Sequence, residues 1–188
     1  MADTIIVGDG PGGLSAALFL ARAGQEVIVF GKDKTAMHWA QLNNYLGVPS
    51  MHGSDFQKFG RAQVTEAGGK FRDEFIEGLE RTDSGFTLTT DSGEQVSARF
   101  LILSEGEKPK LCKKVGLETN DEGGIEVDPN GRSTSPDVYV VGRSTRPGRS
   151  QAIISAGDGA AAAIDILSRI EGKAVCDWDS PPKDSSEE

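Results

Sequence analysis

The chain has 188 residues, 37% of them hydrophobic and 26% charged, enough for one globular domain with a real core. Acidic residues outnumber basic ones 29 to 20, which gives a net charge of -9 and a pI near 4.8. That balance speaks against nucleic acid and anionic membrane surfaces as partners. It suits a surface that stays hydrated in concentrated salt, so a halophilic source is open beside the plainer reading of an ordinary acidic soluble protein. "MADTIIV" has no basic stretch before an apolar one, and no apolar run approaches the length of a membrane span, so a cytoplasmic protein is expected. Cys112 and Cys176 make neither a C-x-x-C pair nor a metal cluster, and no metal site is expected. Cys112 sits in "KPKLCKK", a cationic setting that could lower a thiol pKa, although a structural cysteine is the plainer reading.

"TIIV" is a short apolar run and predicts a buried strand. From Gly10 to Ala23, Leu14, Ala17, Leu18 and Ala21 fall at helical spacing, and Gly24 reads as the stop. "EVIVF", Glu26 to Phe30, predicts a second strand, completing a βαβ unit with a parallel sheet. Residues 31–54 carry loop signals. Ser54 with Asp55 is expected to cap a second helix to about Ala67, with Phe56, Phe59 and Val64 as its apolar positions. Residues 75–103 read as a small antiparallel meander with turns at "TDSG" and "DSGE". Its last run, "RFLIL", is expected to rejoin the main sheet, with "DVYVVG" (Asp137 to Gly142) as another strand. "QAIISAGDGAAAAIDILSRIEG" predicts a long Ala-rich helix. The expected organisation is one domain over 1–176 and an acidic, disordered tail over 177–188.

Gly8, Gly10 and Gly13 form G-x-G-x-x-G between strand and helix, with Pro11 and Gly12 inside the motif. The first glycine permits a tight turn, the second lets a pyrophosphate approach the backbone, and the third lets helix and strand pack closely. Helix N–H groups and the macrodipole then hold phosphates. The fingerprint calls for an acid about 20 residues on, to grip the ribose hydroxyls. That place holds Gly31, followed by Lys32 and Asp33. Asp33 could substitute from the loop, Lys32 could instead favour a 2′-phosphate as in NADP, or both could be solvated loop charges.

The chain resembles the FAD-binding domain of the thioredoxin reductase-like flavoproteins. "GDGPGGLSAALFLARAG" is similar to their opening, and "NNYLG" resembles their E-N-[WYF]-P-G stretch, which would bring Asn44 to the flavin side. "GFTLTTDSGEQVSARFLILSEGEKPK" resembles their meander ending in an A-T-G turn. "STSPDVYVVGRSTRPGRSQAIISAGDGAAAA" resembles their closing segment, in which a G-D pair holds the ribityl chain and a helix points its N-terminus at the flavin pyrimidine. By that resemblance Gly142 and Arg143 stand at the G-D pair, and Gln151 with Ala152 opens the flavin-facing helix. The implied fold is α/β, a Rossmann-like three-layer domain with a parallel sheet and a small antiparallel β-meander. Short, acidic, halophile-type members look most similar.

The departures are informative. The family inserts an NADPH domain, bearing the C-x-x-C dithiol, before the closing segment. Here only about 25 residues separate Gly106 from "GRSTS", with no second glycine fingerprint. The A-T-G turn reads Ser104-Glu105-Gly106, and the G-D pair reads Gly142-Arg143, a charge reversal. His38 could relay protons and Trp39 could cover the flavin ring, or both could simply pack a loop; no catalytic residue is assigned. The expected function is a flavoprotein that binds FAD without covalent attachment and exchanges electrons with a donor or acceptor protein or small molecule. A homodimer is admitted, since FAD domains of the family often pair. A non-catalytic nucleotide-binding module and an NAD(P)-binding oxidoreductase fit the same motif.

Overall fold

The computed structural model describes residues 1–176, so the expected disordered tail at 177–188 lies outside the described residues. Strand β1 (Ala2–Val7) leads into α1 (Pro11–Arg22), and the chain returns as β2 (Val27–Phe30), parallel to β1, with Val7 beside Phe30. The loop over 31–54 holds a 3₁₀ turn (Ala36–Trp39) and a ribbon of β3 (Gln41–Leu42) and β4 (Met51–His52), neither of which sequence periodicity reveals at such lengths. Helix α2 (Gly53–Glu66) follows, and then β5 (Lys70–Arg72), unanticipated, pairs parallel to β2. The N-cap of α2 is His52, whose Nδ1 accepts from the Ser54 amide, rather than Ser54 or Asp55. Its buried face also differs from expectation. Val64 joins the core beside Leu14 of α1 and Gln57 is buried, while Phe59 is 59% exposed.

The meander comprises β6 (Ile76–Thr82), β7 (Gly85–Thr90) and β8 (Gln95–Leu103), and it is not a separate sheet. One continuous strand serves both parts. The stretch Gln95 to Ala98 pairs antiparallel with β7, and Ala98 to Leu103 pairs parallel with β1. The order is β5-β2-β1-β8-β7-β6, with β9 (Val138–Val140) parallel to the end of β8. A short helix, α3 (Lys110–Lys114), precedes β9, and α4 (Ala152–Glu171) closes the described chain.

Alternation along the strands sends side chains to two faces. On one face Ile6, Val29, Phe100 and Ile102 meet Leu14, Ala17 and Leu20 of α1 and Ala162, Ala163 and Ile166 of α4. On the other, Ile5, Phe30, Leu101 and Leu103 meet Phe86 and Leu88 of β7 and Leu111, Cys112, Leu117 and Ile125 from the α3 region. These are the three expected layers. Thr4 is fully buried, and its hydroxyl has no hydrogen-bond partner among the described residues. Thr4→Val keeps the shape and removes the unpaired group, so it is expected to raise stability by about 1 kcal/mol, measured by urea unfolding.

Candidate functional site

The parallel strands β1, β2, β8 and β9 all end on one side of the sheet, where open α/β folds place their ligands. A crevice of about 1340 Å³ opens there. It is larger than an ordinary small-molecule pocket and has room for an extended dinucleotide. Glycines divide the work in its floor. Gly8 has φ +104°, and a side chain there would overlap the Ser104 carbonyl, so the turn needs glycine. A Cβ on Gly13 would overlap the Gly8 carbonyl oxygen, so that glycine lets α1 close on the loop. A Cβ on Gly10 would meet nothing within 4 Å, leaving its backbone open to the crevice it lines. Helix α1 starts with no side-chain cap and no acidic residue in its first turn, and its first-turn amides are therefore free to meet an anion.

The far end is built by the loop before β4 and by α4. The Asn44 side-chain amide donates to Gln151 Oε1 at 3.1 Å, tying two residues 107 positions apart. Gln151 is the N-cap of α4, which likewise has no side-chain cap and no acid in its first turn. Arg143 lies between these ends in a 3₁₀ turn (Gly142–Ser144). Its Nη2 stands 3.2 Å from Glu107, while its Nε is buried without a partner among the described residues. Asp158 accepts from the Gly142 amide at 3.1 Å and pairs with Arg146, so its role is to hold the turn beneath Arg143. Burial pushes the Asp158 carboxyl up against the pull of those partners.

Of the residues singled out from sequence, Gly8, Gly10, Pro11, Gly12, Gly31, Lys32, Asn44, Gly142, Arg143, Gln151 and Ala152 line the crevice. Gly13 does not, because it packs behind the loop. His38 and Trp39 do not line it either. His38 Nε2 meets the Asp33 carbonyl at 2.6 Å, and Trp39 is 83% exposed. Lys32 is directed to Asp91 (3.3 Å) and the Phe75 ring, and the Asp33 carboxylate faces His38. Cys112 is buried, and burial with the nearby Glu105 carboxylate pushes its thiol well up, so the cationic sequence setting does not activate it. Glu105, the departure inside the A-T-G turn, caps α3 by accepting from the Leu111 and Cys112 amides at 2.9 and 3.0 Å. The sequence reading missed Asp9, Gln57 and Arg61. Gln57 and Arg61 stand four apart on the buried side of α2, and both reach Asp9 in the glycine loop. The i, i+4 spacing was the available signal, hidden by an expectation of apolar contacts.

The pattern of one protein family, described as pyridine nucleotide-disulphide oxidoreductase, matches residues 45–159, more than half of the chain. The chain belongs to that family. A second pattern, the FAD binding domain, matches residues 3–42, across the glycine loop. Among curated relatives, a thioredoxin reductase of Claviceps purpurea is 32% identical over 113 residues, covering 56% of this chain and 35% of that protein. One from Helicobacter pylori is 30% identical over 127 residues, covering 65% and 40%. The chain thus spans less than half the length of these two relatives. The structure of a thioredoxin reductase from Gloeobacter violaceus superposes with a TM-score of 0.84 at 18% identity, over 95% of this chain and 99% of that one, which is a likeness of fold. This family member is thioredoxin reductase-like, and its cofactor is FAD. The residues present fit that group. The open glycine backbone and uncapped α1 suit a pyrophosphate, and Arg143, whose buried Nε has no partner among the described residues, lines the same crevice.

Proposed function

We propose that this chain is a flavoprotein module that exchanges electrons with a separate donor or acceptor rather than with a tethered nicotinamide domain. One observation carries the reading: the connection from β8 to β9 holds only α3 and short turns, where the family inserts its NADPH domain. Bound FAD supplies the redox chemistry, accepting and releasing electrons at its ring. The protein binds and orients it. Gly10, Pro11 and Gly12 meet the pyrophosphate at the N-terminus of α1. The α4 N-terminus, with Gln151 fixed by Asn44, meets the pyrimidine end and favours negative charge there. Arg143 has only donors and a planar fork, so it takes a phosphate or ribityl oxygen where an aspartate would have accepted a hydroxyl. Among the described residues no helix is long and apolar enough to cross a membrane.

The test is stopped-flow mixing of FAD-loaded protein with NADPH, beside a dithionite control. Dithionite is expected to bleach the flavin at once. NADPH is expected to reduce it far below ordinary turnover rates of about 1 to 1000 per second, and disulfide reduction should be absent. Fast bleaching by NADPH overturns the reading. Arg143→Ala is expected to weaken FAD binding about tenfold in a fluorescence titration, the value of one charge-assisted hydrogen bond. Unchanged affinity would place the arginine outside the site.

A further inference from the structure

The residue that grips the adenosine-side ribose belongs at the end of the second strand, and this chain has glycine there. The space beside Gly31 is nevertheless filled. Asp9 Oδ1 and Cβ each lie 2.6 Å from the point a Gly31 Cβ would occupy, so a side chain at 31 and the Asp9 side chain exclude one another. Asp9 comes from the glycine loop, at the first variable position of G-x-G-x-x-G. It is 4% exposed, and both Asp9 and Gly31 line the crevice. Its Oδ2 is committed, accepting from the Asp33 amide at 2.9 Å and from the Arg61 guanidinium. Gln57 holds its carbonyl. Among the described residues no other residue donates to Oδ1, and the one further backbone partner of the carboxyl is the amide of Asp9 itself.

We infer that Asp9 is this protein's ribose-recognition residue: the carboxylate missing from position 31 is delivered from the glycine loop, clamped through Oδ2 by Arg61 and the Asp33 amide, with Oδ1 left to accept a ribose hydroxyl of FAD. The inference rests on FAD occupying the crevice. It also explains why the 31 position is glycine, since no other residue fits beside Asp9. Asp33 is thereby the source of a clamping amide rather than the ribose acid, and Lys32, at the crevice wall, is turned to Asp91 at 3.3 Å.

The test is equilibrium titration with FAD and with its 2′-deoxyadenosine analogue. Wild-type protein is expected to bind the deoxy analogue about tenfold more weakly than FAD. Asp9→Asn is expected to lose most of that discrimination, as is Asp9→Gly. The exchange Asp9→Gly/Gly31→Asp is expected to restore it, whereas Gly31→Asp alone should impair both ligands. Because each variant is compared with itself on two ligands, a general loss of stability leaves the ratio readable. Discrimination unchanged in Asp9→Asn and Asp9→Gly would show that Asp9 only anchors Arg61, and would overturn the inference while leaving FAD binding intact. Failure of the wild-type protein to bind FAD would overturn the cofactor reading itself.

Discussion

Gly159→Leu is expected to cost about 3 kcal/mol of stability and to weaken FAD binding with it. Helices α1 and α4 cross at this glycine, and a Cβ there would overlap the Gly12 carbonyl oxygen and stand 3.0 Å from the Ala16 amide nitrogen. Those atoms are backbone, so no rotamer relieves the clash and the helices must separate. Overpacking of this kind costs typically 1–3 kcal/mol, and the upper end applies where backbone has to move. Gly12 belongs to the dinucleotide loop, which is why affinity should fall in parallel. Gly157, two residues earlier and exposed on the same helix, is the control. Nothing lies within 4 Å of its added Cβ, so Gly157→Ala is expected to raise stability by about 0.5–1 kcal/mol through helix propensity. Urea unfolding of both variants, with FAD titrations, decides the matter; a neutral Gly159→Leu would mean that the α1–α4 crossing is looser than the structure shows.

Asp165→Ala is expected to cost about 2–3 kcal/mol at pH 7. Asp165 sits on α4, 9% exposed. It accepts from Arg132 Nε and Nη2 at 2.7 and 2.6 Å and from the Tyr139 hydroxyl at 2.6 Å. Tyr139 is fully buried in β9, and Arg169 also donates to its hydroxyl at 3.1 Å. Truncation therefore strips an acceptor from a buried phenol and a partner from an arginine. Breaking a fully buried pair costs 3–5 kcal/mol, and the half-exposed Arg132 reduces the figure here. Burial pushes the Asp165 carboxyl up, but hydrogen bonds from Arg132 and Tyr139, with the charges of Arg132 and Arg169, outweigh it and hold the group below its ordinary value. A lowered folded-state pKa stabilises the fold at pH above the unfolded value near 3.9, and that contribution disappears as pH falls through the folded value. The gap between wild type and Asp165→Ala should thus be widest near neutrality and shrink in acid, as urea unfolding at pH 7 and pH 3 would register. For Tyr139 itself, burial and the Asp165 carboxylate push the phenol up to about 12, so it stays protonated throughout that range.

The two ends of the chain were legible from residue order because their signals are local. A β-branched apolar run, three glycines at fixed spacing and an Ala-rich helical period describe β1, α1, β2 and α4 without reference to anything distant. The same locality made Gly8, Gly10 and Gly13 recognisable by their spacing, whereas Gly142 was reached only through the resemblance of its segment to the family's G-D pair. Even the β8 strand was visible as "RFLIL", although its continuity with the meander was not: pairing with β7 on one half and β1 on the other is a long-range fact. Strands of two or three residues, such as β3, β4 and β5, exist only because a neighbour offers them hydrogen bonds, and their own residues carry too few periods to announce them.

What only the tertiary structure decided is how the departures from the family pattern are accommodated. Each was a single residue out of place in the sequence: Gly31 without its acid, Glu105 in the turn, Arg143 for an aspartate. Folding gives two of them partners that lie elsewhere in the chain or that helix geometry creates. Glu105 becomes a cap because α3 begins within its reach, and Gly31 accommodates Asp9 across the gap between β1 and β2. The physical reason is that a carboxylate's role depends on which donors surround it, and those of Asp9 come from positions 33 and 61, brought together by the sheet and α2. Residue types and spacing determined the dinucleotide fold of this protein; the identity of the acid at its ribose end was decided by packing.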